Sequence, residues 1–355
     1  MPVGTHFLST TRPAAGETVG LGGGRGRLSA ATNTIARNRQ TAPEVGQLAV
    51  PRRGNLLRVG EKYEYGIDFD RVEAIDVHTH VEVDGHGHKA YDDVLVEATA
   101  TYFKMTPGVL AGVDAVADHY RQRNAAAVVF TIDARHGMRH APNSIVDLVA
   151  GAARNNDVLI PFGSVDPWQG RHAVHRVHEL VRDFGVKGFK FHPSMQAFEP
   201  NDRSYYPIYT AIAEAGVPAL FHTGQTGMGA GLPGGHRIKL RYSDPMLLDD
   251  VAADFPELTI VMAHPAVPWV DAQISIATHK ANVYIDLSGW SPKYFPPQLV
   301  HAMTRQLRTK VLFGTDYPYI QMDRWRRDFD TLAVDPAVLP LIYKQNAMRV
   351  LGVTS

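Results

Sequence analysis

From about residue 72 onward, short apolar runs alternate with longer segments whose apolar residues recur every three to four positions, the pattern of strands exchanged with amphipathic helices. The first run is Ala74–His80, AIDVHTH; a second, Ala126–Ile132, is fed by a helix-period segment over Val113–Arg123. A third strand is predicted over Val158–Val165 behind a helix over Ser144–Asn155. The fourth, Val186–His192, lies behind His172–Phe184 and the helix-stop residue Gly185. The fifth, Val217–His222, follows Pro207–Ala215 and Gly216, and the sixth, Leu258–His264, follows Pro245–Phe255. Val283–Leu287 and Lys310–Asp316 are the seventh and eighth. Runs such as VVF, GFKF, IVM and VLF are apolar nearly throughout, as strands covered on both faces are. Eight strands, each reached through a helix-length segment, imply parallel connectivity. The pattern predicts an α/β fold, a (β/α)8 TIM barrel, with an open doubly wound sheet as the alternative.

The first 62 residues break this pattern. They hold GLGGGRG at 20–26, are rich in Ser, Thr, Ala, Arg and Pro, and have Glu17 as their only acid before Glu44. So little apolar surface does not offset the entropy of ordering the chain. Residues 1–62 are expected to be an arm-like or disordered N-terminal extension and residues 63–355 the barrel domain, with Tyr63–Asp70 capping the first strand. An acid-poor, Arg- and Ser-rich N-terminus also fits an organellar transit peptide, and it lacks the apolar core of a secretory signal.

Composition narrows the functional classes. Lys+Arg and Asp+Glu number 36 each, so no net charge draws the chain to nucleic acid or to an anionic membrane. Cysteine is absent, which excludes disulfides, thiolate ligands and a cysteine nucleophile. No apolar run is long enough to cross a bilayer. The expectation is a cytoplasmic protein acting on a small molecule, with no nucleic-acid or membrane partner, pairing as a homodimer as barrels of this size commonly do. Histidine, at 17 residues, turns attention to imidazole chemistry.

In a strand, His78 and His80 project to one side, roughly 6 to 7 Å apart along the backbone, and can converge on one ion. Alone, such a pair is equally two surface histidines at a strand end. The remaining strand ends change the picture: the fourth ends in His192, the fifth in His222, the sixth in His264 and the eighth in Asp316. Barrel active sites lie at the carboxyl ends of the strands. Imidazoles gathered there with one carboxylate suit zinc or a similar divalent transition ion.

His78-Thr79-His80, Phe221-His222-Thr223-Gly224, Met262-Ala263-His264-Pro265, Phe313-Gly314-Thr315-Asp316-Tyr317-Pro318 and Asn346-Ala347 together resemble the amidohydrolase superfamily over about residues 72–355. More narrowly, they resemble the amidohydrolase-related branch that contains aminocarboxymuconate-semialdehyde decarboxylase, resorcylate-type decarboxylases and several lactone and carbonyl hydrolases. The resemblance implies one divalent ion, zinc before manganese or cobalt, held by His78, His80, His222 and Asp316, with His264 as the catalytic acid/base group. Asp316 is a catalytic candidate too, since a ligating carboxylate can also accept a proton. In binuclear members of the wider superfamily a carboxylated strand-four lysine bridges two ions, and Lys190 stands at that place. The narrower resemblance is to mononuclear members, and since Lys190 and His192 share one face of the strand, His192 is read as a pocket residue that binds substrate or supports a ligand, with Lys190 meeting an anion or carboxylate of the substrate.

After the fifth strand, residues 225–242 form a segment with five glycines between Gly224 and Arg237, followed by Lys239 and Arg241. It reads as a lid over the site, with Arg237 gripping an acidic group of the substrate. Trp290, Tyr294 and Phe295 are expected to add aromatic surface, with Trp290 in contact with substrate. His86 and His88 read as a solvated loop. Three functions fit. The first is a metal-dependent hydrolase attacking a lactone, amide or β-keto carbonyl through a metal-activated water. The second is a nonoxidative metal-dependent decarboxylase of an aromatic or muconate-type acid; the third is a metal-binding protein without turnover. Hydrolysis leads, because decarboxylation calls for an arginine at the site and the sequence places none there.

Overall fold

The computed structural model of the chain describes residues 62–106 and 110–353. All of the segment assigned to the N-terminal extension except Lys62 lies outside the described residues.

All eight predicted strands are present: β1 Ala74–His80, β2 Ala125–Phe130, β3 Leu159–Pro161, β4 Phe189–Phe191, β5 Ala219–His222, β6 Ile260–Ala263, β7 Val283–Asp286 and β8 Val311–Leu312. Every ladder is parallel, in the orders β1-β2-β3 and β4-β5-β6-β7-β8. Two seams join them. Gly163, just past β3, bridges Phe189, and Thr79 of β1 bridges Tyr317, just past β8. The Lys187 N–H donates to Pro161 O (2.8 Å) across one seam and the Val77 N–H to Phe313 O (3.0 Å) across the other. The sheet therefore closes on itself as a (β/α)8 barrel, which rules out the open doubly wound alternative. Most strands are shorter than the apolar runs that predicted them, because an apolar run reports burial on both faces and burial extends beyond the laddered hydrogen bonds.

β1 departs from simple alternation, with a register shift between Asp76 and Thr79. Before the shift, Ile75 and Val77 belong to the barrel's inner apolar cluster with Ala126, Val128 and Phe130. After it, the His78 and His80 rings pack edge-on against Phe130, 5.0 and 4.8 Å between centroids. Strict alternation would turn one of these pairs away from the interior; the irregularity lets both face it. Asp76, fully buried, accepts hydrogen bonds from the hydroxyls of Tyr120 and Thr315 (2.6 Å each) and from the Thr315 N–H (3.1 Å). Burial pushes its carboxyl up to about 6 against these bonds, which tie β1 to the turn after β8.

A larger apolar layer fills the space between strands and helices. Asp92 and Ser144 cap their helices by accepting from Leu95 N (2.9 Å) and Asp147 N (3.1 Å). Gly185 and Gly216 end theirs at φ +76° and +65°, where a side chain is disfavoured. Ahead of β1, Tyr63 donates its hydroxyl to Leu159 O (2.7 Å), and Ile67 and Val72 join the inner cluster, so the predicted capping segment is a structural plug. Among the described residues no helix is long and apolar enough to cross a membrane.

Candidate metal centre

The carboxyl ends of the strands bring His78, His80, Lys190, His192, His222, His264 and Asp316 to the walls of one cavity of about 340 Å³. At its floor, the Nε2 atoms of His78 and His80 converge on Asp316 Oδ1, at 3.3 and 3.0 Å. Ligand atoms of these three residues all lie within 4.8 Å of one another. His222 stands outside that tight group but on the same cavity, its ring stacked on His192 at 3.8 Å. Its Nε2 is buried and has no hydrogen-bond partner among the described residues. A buried imidazole nitrogen without a partner, beside two more and a carboxylate, fits a divalent ion.

Electrostatics agree with this use. Burial holds the imidazoles of His78, His192 and His222 far below their usual range and His264 down at about 4, so all four present as neutral rings. Burial lowers His80 too, against the opposing pull of Asp316. Burial alone would raise Asp316, but the His80 hydrogen bond and the nearby His264 outweigh it and keep the carboxylate ionised. Lys190 Nζ lies 3.0 Å from His78 Nε2, and burial depresses its ammonium.

Both His264 and Asp316 have left-handed backbones, φ +71° and +69°. That is rare outside glycine and accumulates where a structure holds a side chain against local preference for a purpose. Gln273 stabilises the first turn: its Nε2 donates to His264 O (2.7 Å) and its Oε1 accepts from Ala266 N (3.1 Å). The Asp316 N–H donates to His78 O (3.0 Å), which fixes the second against β1.

Three groups at this site escape the sequence reading: Asp286, Ser288 and Gly289. Asp286 Oδ2 is 2.8 Å from His78 Nδ1, and Ser288 Oγ is 2.9 Å from His264 Nδ1. The available signal was Asp286 itself, which ends the seventh strand as the other candidate residues end theirs. Gly289, at φ +75°, lies so close to His264 that a Cβ there would fall 2.3 Å from Nδ1. Gly289→Ala is therefore expected to displace the imidazole and lower kcat at least tenfold with bound metal unchanged, since sub-ångström misplacement of a catalytic group costs about this much or more; unaltered kcat would refute the tight packing.

The cavity walls correct two expectations. Trp290 and Tyr294 line the cavity as expected, whereas Phe295 is buried in the outer apolar layer beside Trp325. Arg237 is exposed and does not line the cavity. Gln225, Thr226 and Met228 turn inward, and the glycines at 229, 231, 234 and 235, all with positive φ, then carry the chain away. Arg241 pairs with Glu199 on the surface instead of gripping a ligand. The cationic residues on the cavity are Lys104, Lys190 and Arg324. His86 and His88 are both exposed as predicted, and His88 also stacks on His140 at 5.2 Å.

Residues 75–353 match the family model described as amidohydrolase. No curated protein matches the chain in sequence. Among solved structures, an uncharacterized TIM-barrel protein from Bordetella bronchiseptica superposes with a TM-score of 0.63 at 22% identity, over 79% of this chain and 98% of that one. A 5-carboxyvanillate decarboxylase from Novosphingobium aromaticivorans with bound manganese superposes with a TM-score of 0.58 at 14% identity, covering 82% and 100%. For a 2,6-dihydroxybenzoate decarboxylase from Rhizobium the values are 0.58, 15%, 79% and 99%. At such identities these likenesses establish the fold. Since the family model spans nearly all of the described residues and its region contains the whole histidine and aspartate cluster, the chain belongs to the amidohydrolase family.

Proposed function

We propose that the chain is a metal-dependent, nonoxidative decarboxylase of an aromatic carboxylic acid. The observation that carries this is the charge and shape of the cavity. Among the described residues Asp316 is the only carboxylate on its walls, against Lys104, Lys190 and Arg324, and Trp290, Tyr91, Tyr102 and Phe103 supply aromatic surface. Such a lining favours a planar anion. Sequence reasoning favours hydrolysis only for want of an arginine at the site, and Arg324 removes that ground. Among solved relatives of this fold, two named for their reactions are decarboxylases of aromatic acids.

His78, His80, His222 and Asp316 are the proposed ligands. They would hold a divalent ion, proposed as zinc with manganese as the competing choice, which would supply Lewis-acid chemistry towards an anionic substrate. His264, neutral because of its burial, accepts a substrate hydroxyl proton and returns it to the ring carbon that bears the carboxylate. As that C–H bond forms and the carbon–carboxylate bond breaks, its electron pair restores the ring and carbon dioxide leaves. Lys190 and His192 hold the substrate against the wall, and Arg324, half-exposed and only loosely paired with Asp328 at 3.9 Å, binds its acidic group.

The test is release of carbon dioxide from a panel of hydroxybenzoates, including 2,6-dihydroxybenzoate and 5-carboxyvanillate, set against hydrolysis of lactones and β-keto compounds by the same preparation. Turnover confined to the hydrolytic panel would restore the hydrolase. Arg324→Ala is expected to raise KM about 10- to 100-fold with little change in kcat, the loss typical of a charge-assisted hydrogen bond. An unchanged KM would remove Arg324 from substrate recognition.

A further inference from the structure

His192 faces the cavity with a ring whose hydrogen is placed by the backbone beside it. It follows β4 and caps the single helical turn Pro193–Gln196, where the Met195 N–H donates to its Nδ1 at 3.3 Å. That turn is held from outside. The His192 N–H donates to Gln196 Oε1 (2.9 Å), and the buried Gln196 amide donates to Asp133 O and Val165 O (2.9 Å each), past the ends of β2 and β3. The ring lies nearly flat on His222, 3.8 Å between centroids and 8° between planes. Its Nε2 lies 3.5 Å from Thr226 Oγ1, and His192 and Thr226 both line the cavity.

A backbone N–H only donates, so Nδ1 supplies a lone pair to Met195 and carries no hydrogen of its own. A neutral imidazole keeps one N–H, which is therefore on Nε2. A second proton would leave that one in place, so the Nε2–H does not depend on the charge of the ring. Only the form with a bare Nε2 is excluded, and that is the form a base or an Nε2 metal ligand requires. The Nε2–H itself lacks a strong partner. Thr226 Oγ1 already accepts from the Met228 N–H at 3.0 Å, and 3.5 Å is the far limit of a hydrogen bond. Among the described residues Asp316 is the only carboxylate on the cavity wall, and it is engaged by His78 and His80. The acceptor has to come with the substrate, and an anionic oxygen is the strongest a neutral donor can meet.

We propose that His192 is a hydrogen-bond donor that holds an oxygen of the substrate's acidic group at Nε2, and that it serves neither as a metal ligand nor as a base. Of the two cavity histidines outside the proposed ligand set, proton transfer is thereby left to His264 alone. The inference rests on reading this cavity as the site of an anionic substrate, and it is independent of whether decarboxylation or hydrolysis follows.

Nitrogen NMR tests the donor directly, on the full chain labelled with 15N at histidine, before and after addition of Zn2+, with the His192 signals identified by their loss in His192→Gln. A hydrogen on Nε2 in both samples is required; a bare Nε2 in either overturns the proposal. The second test is kinetic, on the first compound of either panel that is turned over. His192→Asn keeps an oxygen able to cap Met195 and lacks a donor at the place of Nε2, whereas His192→Gln carries an amide N–H close to that place. Asparagine is expected to raise KM about 10- to 100-fold with zinc content and kcat little changed, and glutamine to recover most of the loss. An unchanged KM in His192→Asn, equal damage in both variants, or loss of zinc from either overturns the assignment. The panel from which the compound comes decides the reaction and not the role of His192, and the spectrum of the unsubstituted chain needs neither a substrate nor a folded variant.

Discussion

Asp316→Ala yields a folded barrel that no longer holds a stoichiometric divalent ion and turns over no compound of the panel. Asp316 Oδ1 is the atom on which the His78 and His80 nitrogens converge, at 3.3 and 3.0 Å, and among the described residues Asp316 is the only carboxylate on the cavity wall. Without it, three neutral imidazoles and a lysine remain, and nothing offsets a divalent charge. The loss of affinity should exceed the roughly 10- to 100-fold cost of removing a residue that merely supports a ligand. Alanine is more informative than asparagine, because an amide retains an oxygen able to ligate. Metal analysis after dialysis, with circular dichroism to confirm the fold, measures this. An Asp316→Ala protein carrying one tightly held ion would mean that the site lies elsewhere.

His264→Ala gives the complementary result: a protein with its full complement of metal and a kcat lowered by about 10² to 10⁴. His264 shares the cavity with the ligand cluster, its ring centroid 4.7 Å from those of both His78 and His222. Its Nδ1 is engaged by Ser288 and its backbone is held by Gln273, which fixes the ring; the proposed function takes it as lying beside the ion rather than on it. Removing the side chain opens a polar space that water can fill and leaves the three converging ligand atoms in place. Stoichiometric metal with turnover at least a hundredfold down is the expected pair of measurements. Loss of metal would make His264 a ligand, and undiminished turnover would end its acid/base role. Together the two substitutions separate metal capture from proton transfer.

The strand-end pattern made most of the cavity legible in advance. His78, His80, His222, His264 and Asp316 each follow an apolar run, and parallel connectivity places such ends together, so their meeting followed from periodicity. His192 reached the cavity by the same logic, and Trp290 as part of the aromatic segment after the seventh strand. Arg237 failed because a loop arginine carries no period: whether it faces inward depends on the positive-φ glycines that steer residues 229–235, and neighbouring residues do not report that. Arg324 was missed for the converse reason. It lies in the helix Met322–Asp330 among several other charged residues, and only the packing of Met322, Trp325 and Phe329 into the core sets which face of that helix looks over the cavity.

What the sequence determined by itself was the number of strands, their parallel order and the kinds of side chain that end them, because burial on two faces and crossover helices impose periods that survive in one dimension. Tertiary structure alone decided closure, which depends on Thr79 meeting Tyr317 some 240 residues along the chain. It also decided the register shift in β1 that turns both apolar core and cavity histidines inward, and the Asp286–Ser288 pair behind them. These are contacts between residues far apart in sequence, fixed by distances of about 3 Å that no local pattern encodes.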